Sequence, residues 1–208
     1  MPKMSEEEKM LSGKIYDGSD EKLYSRRLVA HELCRQFNIT PESDFEKRSQ
    51  IIDKLFPHHE KNCFIQGPLQ VDYGSYSYIG NNFYCNFNLT ILDSCPITIG
   101  DNVFLGPNVS IVTPIHPFLA KERNTYVNEK GKITDKEYAA PIVIEGNNWI
   151  ASNVTICGGV TIGEGSVIGA GSVVIRDIPK NSLAAGNPCR VIRELTEQDS
   201  IYLKSKLF

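Results

Sequence analysis

The chain repeats aliphatic residues at intervals of six near its end. In the segment 144–179, "IEGNNW IASNVT ICGGVT IGEGSV IGAGSV VIRDIP", every hexad begins with an aliphatic side chain. These residues are Ile144, Ile150, Ile156, Ile162, Ile168 and Val174. An α-helix would scatter positions six apart around its surface, and a single strand has a period of two. The spacing therefore predicts short strands joined by tight turns, each hexad forming one side of a three-sided coil with its aliphatic side chain inside.

The same spacing occurs earlier in the chain. It runs from Ile79 in "IGNNFYCNFNLTILDSCP" and, after a slip of two residues, from Ile99 in "IGDNVFLGPNVSIVTPIH". Glycine and asparagine occupy the expected turns, where a positive φ costs them little. Between Pro114 and Ala140 a polar segment replaces the repeat. Loops of this length in compact domains are usually functional or disordered, so we expect a long loop excursion at 114–140.

Helix signals replace the hexads at the start of the chain. Ser5 and Glu8 are spaced as a capping box. A second helix is predicted from its apolar stripe, and a third is predicted to begin at Thr40 and Pro41 and to end at Pro57. The stripe consists of Leu23, Ala30, Leu33, Cys34 and Phe37.

These signals predict a mainly β chain in three parts. Residues 1–57 would form an N-terminal helical region that caps one end of the coil and protects its edge from pairing. The hexapeptide coil, with its excursion, would occupy 58–193, and 194–208 would be a C-terminal tail.

Composition excludes several classes of function. A net charge of -3 gives no basic surface for nucleic acid, so small molecules or other proteins are the expected partners. The acidic start lacks a signal peptide core, and no segment approaches the roughly 18 apolar residues of a membrane span, so a cytoplasmic location is expected. The six cysteines contain no CxxC pair, which argues against a zinc site or a disulfide framework.

Four motifs together carry a family resemblance. They are "GKIYD", "NFYCNFNLTILD", "IGDNVFLGPNV" leading to "HP", and "VTIGEGSVIGAGSVVIRDIPKNSLAAGNPCRVIREL". Over nearly its whole length the chain resembles the maltose and galactoside O-acetyltransferases, which include nodulation-type sugar acetyltransferases. The resemblance implies a left-handed parallel β-helix, acetyl coenzyme A as cosubstrate, no required metal, and a homotrimer with active sites between neighbouring subunits.

His116 is the candidate general base. A sugar hydroxyl must lose its proton during attack, and a neutral imidazole within hydrogen-bond reach is the usual acceptor of that proton. The residues alone leave open a polar turn residue before Pro117, whereas the resemblance places the family's base at this histidine. We interpret His31, His58 and His59 as solvated or structural.

The remaining catalytic and acceptor-binding residues come from the resemblance. It assigns Asn86 to stabilising the tetrahedral oxyanion, although an asparagine in a hexad turn is also an ordinary structural residue. The expected acceptor-binding residues are Asp17, Arg27, Asp72, Tyr84, Asn86, Asp93, Glu137 and Tyr138. Asp72 stands where a galactoside enzyme has serine, and Ser94 stands where it has a second aspartate, so the acceptor preference is open to change.

Donor binding is expected along the second half of the coil. The arm of acetyl coenzyme A can bond to extended backbone beside small residues, and basic side chains can pair with its phosphates. The resemblance implies contacts at Trp149, Ser152, Ala170, Ile175, Arg176, Lys180, Arg190 and Arg193. Ile175 replaces a polar residue of the family, and Lys180 alone is equally typical of a solvated surface.

Other functions remain in competition. The same chemistry could use serine or an antibiotic hydroxyl as acceptor, and a non-catalytic binding protein could share the fold. A carbonic anhydrase would need three histidines around zinc. The repeat region offers only His116, apart from His58 and His59 just before it, which argues against this class. Cys85 and Cys157 lack an activating partner, so direct attack is expected rather than a covalent acyl-enzyme.

Overall fold

The structure is a computed structural model and describes residues 4–203. Its α-helices are α1 (Glu6–Leu11), α2 (Glu21–Ile39), α3 (Phe45–Leu55) and α4 (Ala120–Arg123), and two short 3₁₀ helices cover Glu197–Asp199 and Ile201–Leu203. The capping box is confirmed, because Ser5 Oγ accepts from the Glu8 amide at 3.2 Å and Glu8 Oε2 accepts from the Ser5 amide at 2.7 Å. Residues 1–3 of the predicted helical region and 204–208 of the predicted tail lie outside the described residues.

The third helix starts later than predicted. Thr40 ends α2, and its hydroxyl donates to the carbonyl of Gln36 at 2.7 Å. Asp44 is the residue that caps α3, accepting from the Lys47 amide at 3.2 Å. The start predicted at Thr40 and Pro41 is therefore wrong, because the Thr40 hydroxyl is used by the preceding helix and a carboxylate closes the next one.

The helices pack on the first strands of the coil. The predicted stripe of α2 is buried at Leu23, Ala30, Cys34 and Phe37, and Leu33 is half-buried. Together with α3 it forms one apolar core with the coil; the members contributed by the helices and the adjoining strands include Ala30, Cys34, Phe37, Ile51, Ile52, Leu55, Ile65, Leu69 and Val71. This burial supplies the main driving force for docking the helices on the coil.

The rest of the chain consists of short strands. They are β1 (Tyr16–Asp17), β2 (His58–His59), β3 (Phe64–Ile65), β4 (Leu69–Val71), β5 (Ser77–Ile79), β6 (Tyr84–Cys85), β7 (Leu89–Leu92), β8 (Ile97–Ile99), β9 (Phe104–Leu105), β10 (Ser110–Val112), β11 (Pro114–Ile115), β12 (Tyr126–Val127), β13 (Ile133–Thr134), β14 (Lys136–Ala139), β15 (Ile142–Ile144), β16 (Trp149–Ile150), β17 (Thr155–Cys157), β18 (Thr161–Ile162), β19 (Val167–Ile168), β20 (Val173–Val174), β21 (Ser182–Ala185) and β22 (Arg190–Glu194).

Three sheets form the walls of a β-solenoid of about 6 turns. Their strand orders are β2-β5-β8-β15-β18, β3-β6-β9-β16-β19-β21-β22 and β4-β7-β10-β17-β20. Pairing is parallel except between β21 and β22, and it aligns Ile99 with Ile144 and Ile144 with Ile162. All six aliphatic residues of the 144–179 repeat are 0% exposed, which confirms the predicted hexad coil and its mainly β fold class.

The excursion is more ordered than a loop. It leaves the coil after β10 and returns at β15, at the corner where shorter connections join β4 to β5 and β7 to β8. Within it, β12 and β13 form a hairpin, and β14 lies between β1 and β11 in an antiparallel sheet. The N-terminal region thus holds the excursion against the coil through a strand pairing that no local sequence pattern announces.

None of the helices in the part of the chain that the structure describes has the length and apolar character needed to cross a bilayer.

Candidate active site

Two separate depressions contain seven of the predicted site residues. The first, which we call the corner cavity, has a volume of about 480 Å³. It is lined by Tyr16, Gly18, Ser19, Tyr24, Arg27, His31, Asp72, Ser94, Ile133, Thr134, Asp135 and Glu137. The second, the sheet groove, has a volume of about 540 Å³ and is lined by Tyr84, Asn86, Phe104, Leu105, Gly106, Pro107, Trp149, Ala151 and Ser152. Among residues 4–203 the two share no lining residue.

His116 lies directly after β11, beside two carboxylates of the corner cavity. Its Nδ1 atom is 3.2 Å from Asp135 Oδ2, and its side chain is 49% exposed. Polar atoms of His116, Asp135 and Glu137 all lie within 4.8 Å of one another. An imidazole that donates from Nδ1 to a carboxylate presents Nε2 as a proton acceptor, so this arrangement can serve as a general base.

Glu137 is held by Tyr16 across the β1–β14 pairing. The Tyr16 hydroxyl donates to Glu137 Oε1 at 2.6 Å. Burial raises the pKa of Glu137, while the hydrogen bond from Tyr16 and the charge of His116 act in the opposite direction. Burial also raises the pKa of Tyr16, so its hydroxyl remains a donor.

Asp17 is turned away from the corner cavity and is fully engaged by neighbours. It accepts from the Ser19 amide and hydroxyl at 2.9 and 2.7 Å, from Thr134 Oγ1 at 2.6 Å and from Asn128 Nδ2 at 2.7 Å. Burial alone would raise the pKa of Asp17, but these hydrogen bonds outweigh it and lower the pKa from 3.8 to about 2. The structure therefore places this predicted acceptor-binding residue under the excursion hairpin.

Helix α2 lines one wall of the corner cavity with Tyr24, Arg27 and His31. The Arg27 guanidinium donates to the Tyr73 hydroxyl at 2.7 Å and to the Gly18 carbonyl at 2.8 Å, which fixes its position. His31 Nε2 lies 3.5 Å from Asp72 Oδ1. Our interpretation of His31 as merely solvated or structural overlooked this wall position, although its spacing of four from Arg27 on one helix was a signal that could have revealed it.

Asp93 does not line the corner cavity, and the expectation that it contacts the acceptor stays a prediction. Its side chain is 0% exposed and accepts from the amides of Tyr73 and Tyr76 at 2.8 and 3.2 Å and from the Ser77 hydroxyl at 3.1 Å. Burial raises the pKa of Asp93, and these donors oppose that shift. The next residue, Ser94, is the one that lines the cavity.

Tyr84 and Asn86 lie in the sheet groove. Asn86 Nδ2 donates to the Tyr84 hydroxyl at 3.3 Å, and Asn86 Oδ1 accepts from the Phe87 amide at 2.7 Å. Within one chain the structure does not place Asn86 in the cavity beside His116, since the two residues follow β6 and β11 at different corners of the coil. Tyr138 pairs with Ile115 in the excursion sheet and is half-buried.

The predicted donor-binding residues extend from the sheet groove toward the end of the coil. Trp149 is 55% exposed and lines the groove with Ser152, and Gly106 allows close stacking there because an added Cβ would lie 2.8 Å from the Ser152 nitrogen. The other predicted donor-binding side chains are exposed but lie outside its lining: Ala170, Ile175, Arg176, Lys180, Arg190 and Arg193.

Arg193 differs from the other basic residues because its guanidinium is already paired. It donates to both carboxylate oxygens of Asp199, at 2.8 and 2.7 Å. A phosphate would have to displace Asp199 to use this fork, so Arg193 is less available than the resemblance implied.

The cysteines show no sign of nucleophilic activation. All six, which lie within the described residues, are free thiols, and burial raises the pKa of Cys85 and of Cys157. A thiolate nucleophile requires the opposite shift, so the structure agrees with direct transfer.

The described part of the chain contains one group of three side chains with the spacing to hold a metal ion: His116, Asp135 and Glu137. These groups already have contacts within the chain, since Tyr16 donates to Glu137 Oε1 at 2.6 Å and His116 Nδ1 lies 3.2 Å from Asp135 Oδ2. The expectation that no metal is required therefore stays a prediction.

Comparison with known proteins agrees with this geometry. The profile of the maltose acetyltransferase hexapeptide capping motif matches residues 9–60, that of the bacterial transferase hexapeptide matches 141–176, and that of the hexapeptide repeat of succinyl-transferase matches 96–116. The galactoside O-acetyltransferase of Escherichia coli (strain K12) is 43% identical over 195 residues, covering 94% of this chain and 92% of that protein.

Solved structures extend the likeness to the fold. A maltose O-acetyltransferase from Clostridium difficile 630 has a TM-score of 0.84 at 44% identity, covering 93% of this chain and 99% of that one. A galactoside acetyltransferase in complex with coenzyme A has a TM-score of 0.86 at 43% identity, covering 95% and 94% of the two chains. The chain is thus an acyltransferase and belongs to the maltose and galactoside O-acetyltransferase family of hexapeptide-repeat proteins.

Proposed function

We propose that the protein transfers the acetyl group of acetyl coenzyme A to a hydroxyl of a maltose-, glucose- or galactoside-like sugar by direct attack, with His116 as general base. The observation that carries this proposal is the position of His116 beside the corner cavity, with Nδ1 at 3.2 Å from Asp135. The complex of a 43% identical relative with coenzyme A supports the donor.

In the proposed reaction the acceptor occupies the corner cavity and the thioester approaches from the sheet groove. His116 Nε2 takes the hydroxyl proton as the acceptor oxygen bonds to the acetyl carbon. Asn86 donates to the oxygen of the resulting tetrahedral intermediate. The carbon–sulfur bond then breaks, and the imidazolium returns the proton to the coenzyme A thiolate, so no group remains on the enzyme.

A homotrimer would bring the two half-sites together. In one chain His116 and Asn86 belong to different depressions, so a cleft between neighbouring subunits is needed to unite base and oxyanion donor. Arg27, Asp72, Ser94, Glu137 and Tyr138 would surround the acceptor from the subunit that supplies His116.

The basic residues at the end of the coil would meet the donor phosphates. Arg176, Lys180 and Arg190 are exposed there and are the side chains we assign to this contact. Trp149, Ser152, Ala170 and Ile175 would border the pantetheine arm.

The test is release of free coenzyme A thiol from acetyl coenzyme A with panels of sugars, amino acids and antibiotics. Because general-base catalysis contributes about 10²- to 10⁴-fold, His116→Ala should lower sugar-dependent kcat by that range while the fold is retained. The matched control is His58→Ala, since His58 stacks on Tyr78, lines neither depression and should leave turnover unchanged.

Each alternative has its own outcome in the same assay. Turnover with serine or an antibiotic but not with sugars would change the acceptor class. Absence of turnover with every acceptor would favour a binding protein. Loss of activity after treatment with EDTA, restored by a divalent cation, would contradict the metal-free mechanism.

A further inference from the structure

Asp135 is placed to govern the orientation of His116. It lies between β13 and β14, at the return of the excursion hairpin, and its Oδ2 atom faces His116 Nδ1 at 3.2 Å. Its side chain is 33% exposed, so the carboxylate borders the corner cavity without being removed from water. The atom it contacts is Nδ1, the ring nitrogen that does not face the acceptor in the proposed reaction.

The residues on both sides of Asp135 are tied to Asp17. Thr134 Oγ1 donates to Asp17 Oδ1 at 2.6 Å, and Lys136 pairs with Asp17 in the β1–β14 register. Asn128, at the other end of the hairpin, donates to Asp17 Oδ2 at 2.7 Å. The carboxylate of Asp17 therefore anchors the short segment whose conformation sets the position of Asp135.

We propose that Asp135 is a positioning residue that holds His116 in the tautomer with the proton on Nδ1, and that Asp17 anchors the segment that carries Asp135. This inference rests on the proposed function of His116 as base. It gives the excursion a specific task, which is to deliver a carboxylate to the base.

The physical reason is that a neutral histidine ring in water exchanges between its two tautomers. Only the form with the proton on Nδ1 leaves the Nε2 lone pair free to accept a hydroxyl proton, and a carboxylate at Nδ1 selects that form. Among the described residues, Glu137 is the other ionisable group in the cluster around His116, and its Oε1 already accepts a hydrogen bond from Tyr16. Asp135 is the carboxylate in ion-pair contact with Nδ1.

The first experiment reads the tautomer directly. Protein labelled with ¹⁵N histidine is examined by NMR at a pH where the ring is neutral, and His116→Ala identifies the His116 signals among the four histidines. The wild type should show the proton mainly on Nδ1, whereas Asp135→Ala should show a mixture of both tautomers. Glu122→Gln is the matched control, since it removes an exposed carboxylate from the same excursion.

The same variants are then compared in the transfer assay. Asp135→Ala should lower kcat about 10- to 100-fold with less than about threefold change in the acceptor KM, because misorientation of a base affects the chemical step. Asp135→Glu should recover part of the loss. An unchanged His116 tautomer in Asp135→Ala, or a rise in acceptor KM at constant kcat, would overturn the positioning role.

The second experiment separates the two roles of Asp17. Thr134→Val removes the hydroxyl that joins Asp17 to the hairpin while preserving side-chain shape, so it should reproduce the kcat loss and the tautomer shift of Asp17→Ala. If Asp17 contacts the acceptor instead, Asp17→Ala raises the acceptor KM and Thr134→Val does not. Should Asp17→Ala fail to fold, Thr134→Val alone decides, because an unchanged tautomer in that variant refutes the anchor.

The two readouts also separate this inference from the proposed function. The tautomer of His116 is observable without any acceptor, so failure of acetyl transfer would refute the reaction and leave the tautomer result standing. A wild-type ring protonated mainly on Nε2 would refute the positioning role even if the enzyme were fully active.

Discussion

Two adjacent residues at one corner of the coil have opposite surroundings. Asp93 is buried and accepts from the Tyr73 and Tyr76 amides, whereas Ser94 borders the corner cavity. Asp93→Asn would turn amide hydrogens toward backbone donors and leave them unpaired, at a cost of about 1–3 kcal/mol in the free energy of unfolding. We expect a clear fall in melting temperature for this variant.

Ser94→Ala is the matched comparison. Ser94 is 3% exposed, but its replacement removes one neutral hydroxyl instead of a carboxylate that serves several backbone donors, so it should lower the melting temperature less than Asp93→Asn and should change the acceptor KM. Thermal unfolding at one fixed protein concentration, followed by acceptor kinetics, distinguishes the two. A stable Asp93→Asn variant with a raised acceptor KM would instead restore Asp93 to the acceptor site.

This pair also shows the limit of prediction for single residues. The sequence indicated His116, and the structure gives it a carboxylate neighbour in Asp135 that no motif suggested. Transfer from the family placed Asp93 at the acceptor because the motif aligned there, but which of two neighbours faces inward depends on the backbone of the corner. His31 was overlooked because its partner Asp72 lies 41 positions away in sequence.

Asparagine ladders stabilise two corners of the coil. One runs from Asn62 to Asn82, Asn102 and Asn147 with side-chain hydrogen bonds of 2.8, 2.9 and 3.0 Å, and the other joins Asn88, Asn108 and Asn153. Asn102 has a φ of 56°, in the left-handed region. Each rung thus combines a backbone conformation that asparagine tolerates with a bond to the coil above.

Substitution of Asn102 separates these contributions. Asn102→Gly loses the two side-chain hydrogen bonds but keeps the backbone freedom, whereas Asn102→Ala should lose a further ~1–2 kcal/mol in the free energy of unfolding because alanine resists a positive φ. We expect melting temperatures in the order wild type, glycine variant, alanine variant. Equal values for the two variants would show that the turn relaxes and that the ladder bonds alone matter.

At the scale of elements, regularity decided what the sequence could predict. The hexads of 144–179 predicted the coil because the same inward-facing position repeats and each turn resembles the next. The strands of the excursion escaped prediction because β14 pairs with β1, which is more than a hundred residues away. The late start of α3 was not predicted for a local reason: both Thr40 and Asp44 are possible N-cap residues, and Asp44 is the one that caps α3, whereas Thr40 ends α2.

At the scale of the whole molecule, the division of the proposed site between two depressions predicts a partner subunit. His116 is held by the excursion at one corner, and Asn86 lies in the sheet groove at another. If neighbouring subunits complete each other's sites, chains that lack different halves can cooperate. Light scattering should first give three times the chain mass, and an active monomer would contradict a site shared between subunits.

Complementation then tests whether the halves come from different chains. Trimers made only of His116→Ala subunits, or only of Asn86→Ala subunits, lack one half of every site. The two variants are co-expressed with distinct tags, and mixed trimers are purified through both tags. In a mixed trimer one of the three interfaces joins an intact His116 to an intact Asn86, so the doubly purified trimers should recover about a third of wild-type kcat. Doubly tagged trimers without activity would mean that both residues act from one chain, whereas recovery above the activity of either single-variant trimer would show that the two residues come from different chains.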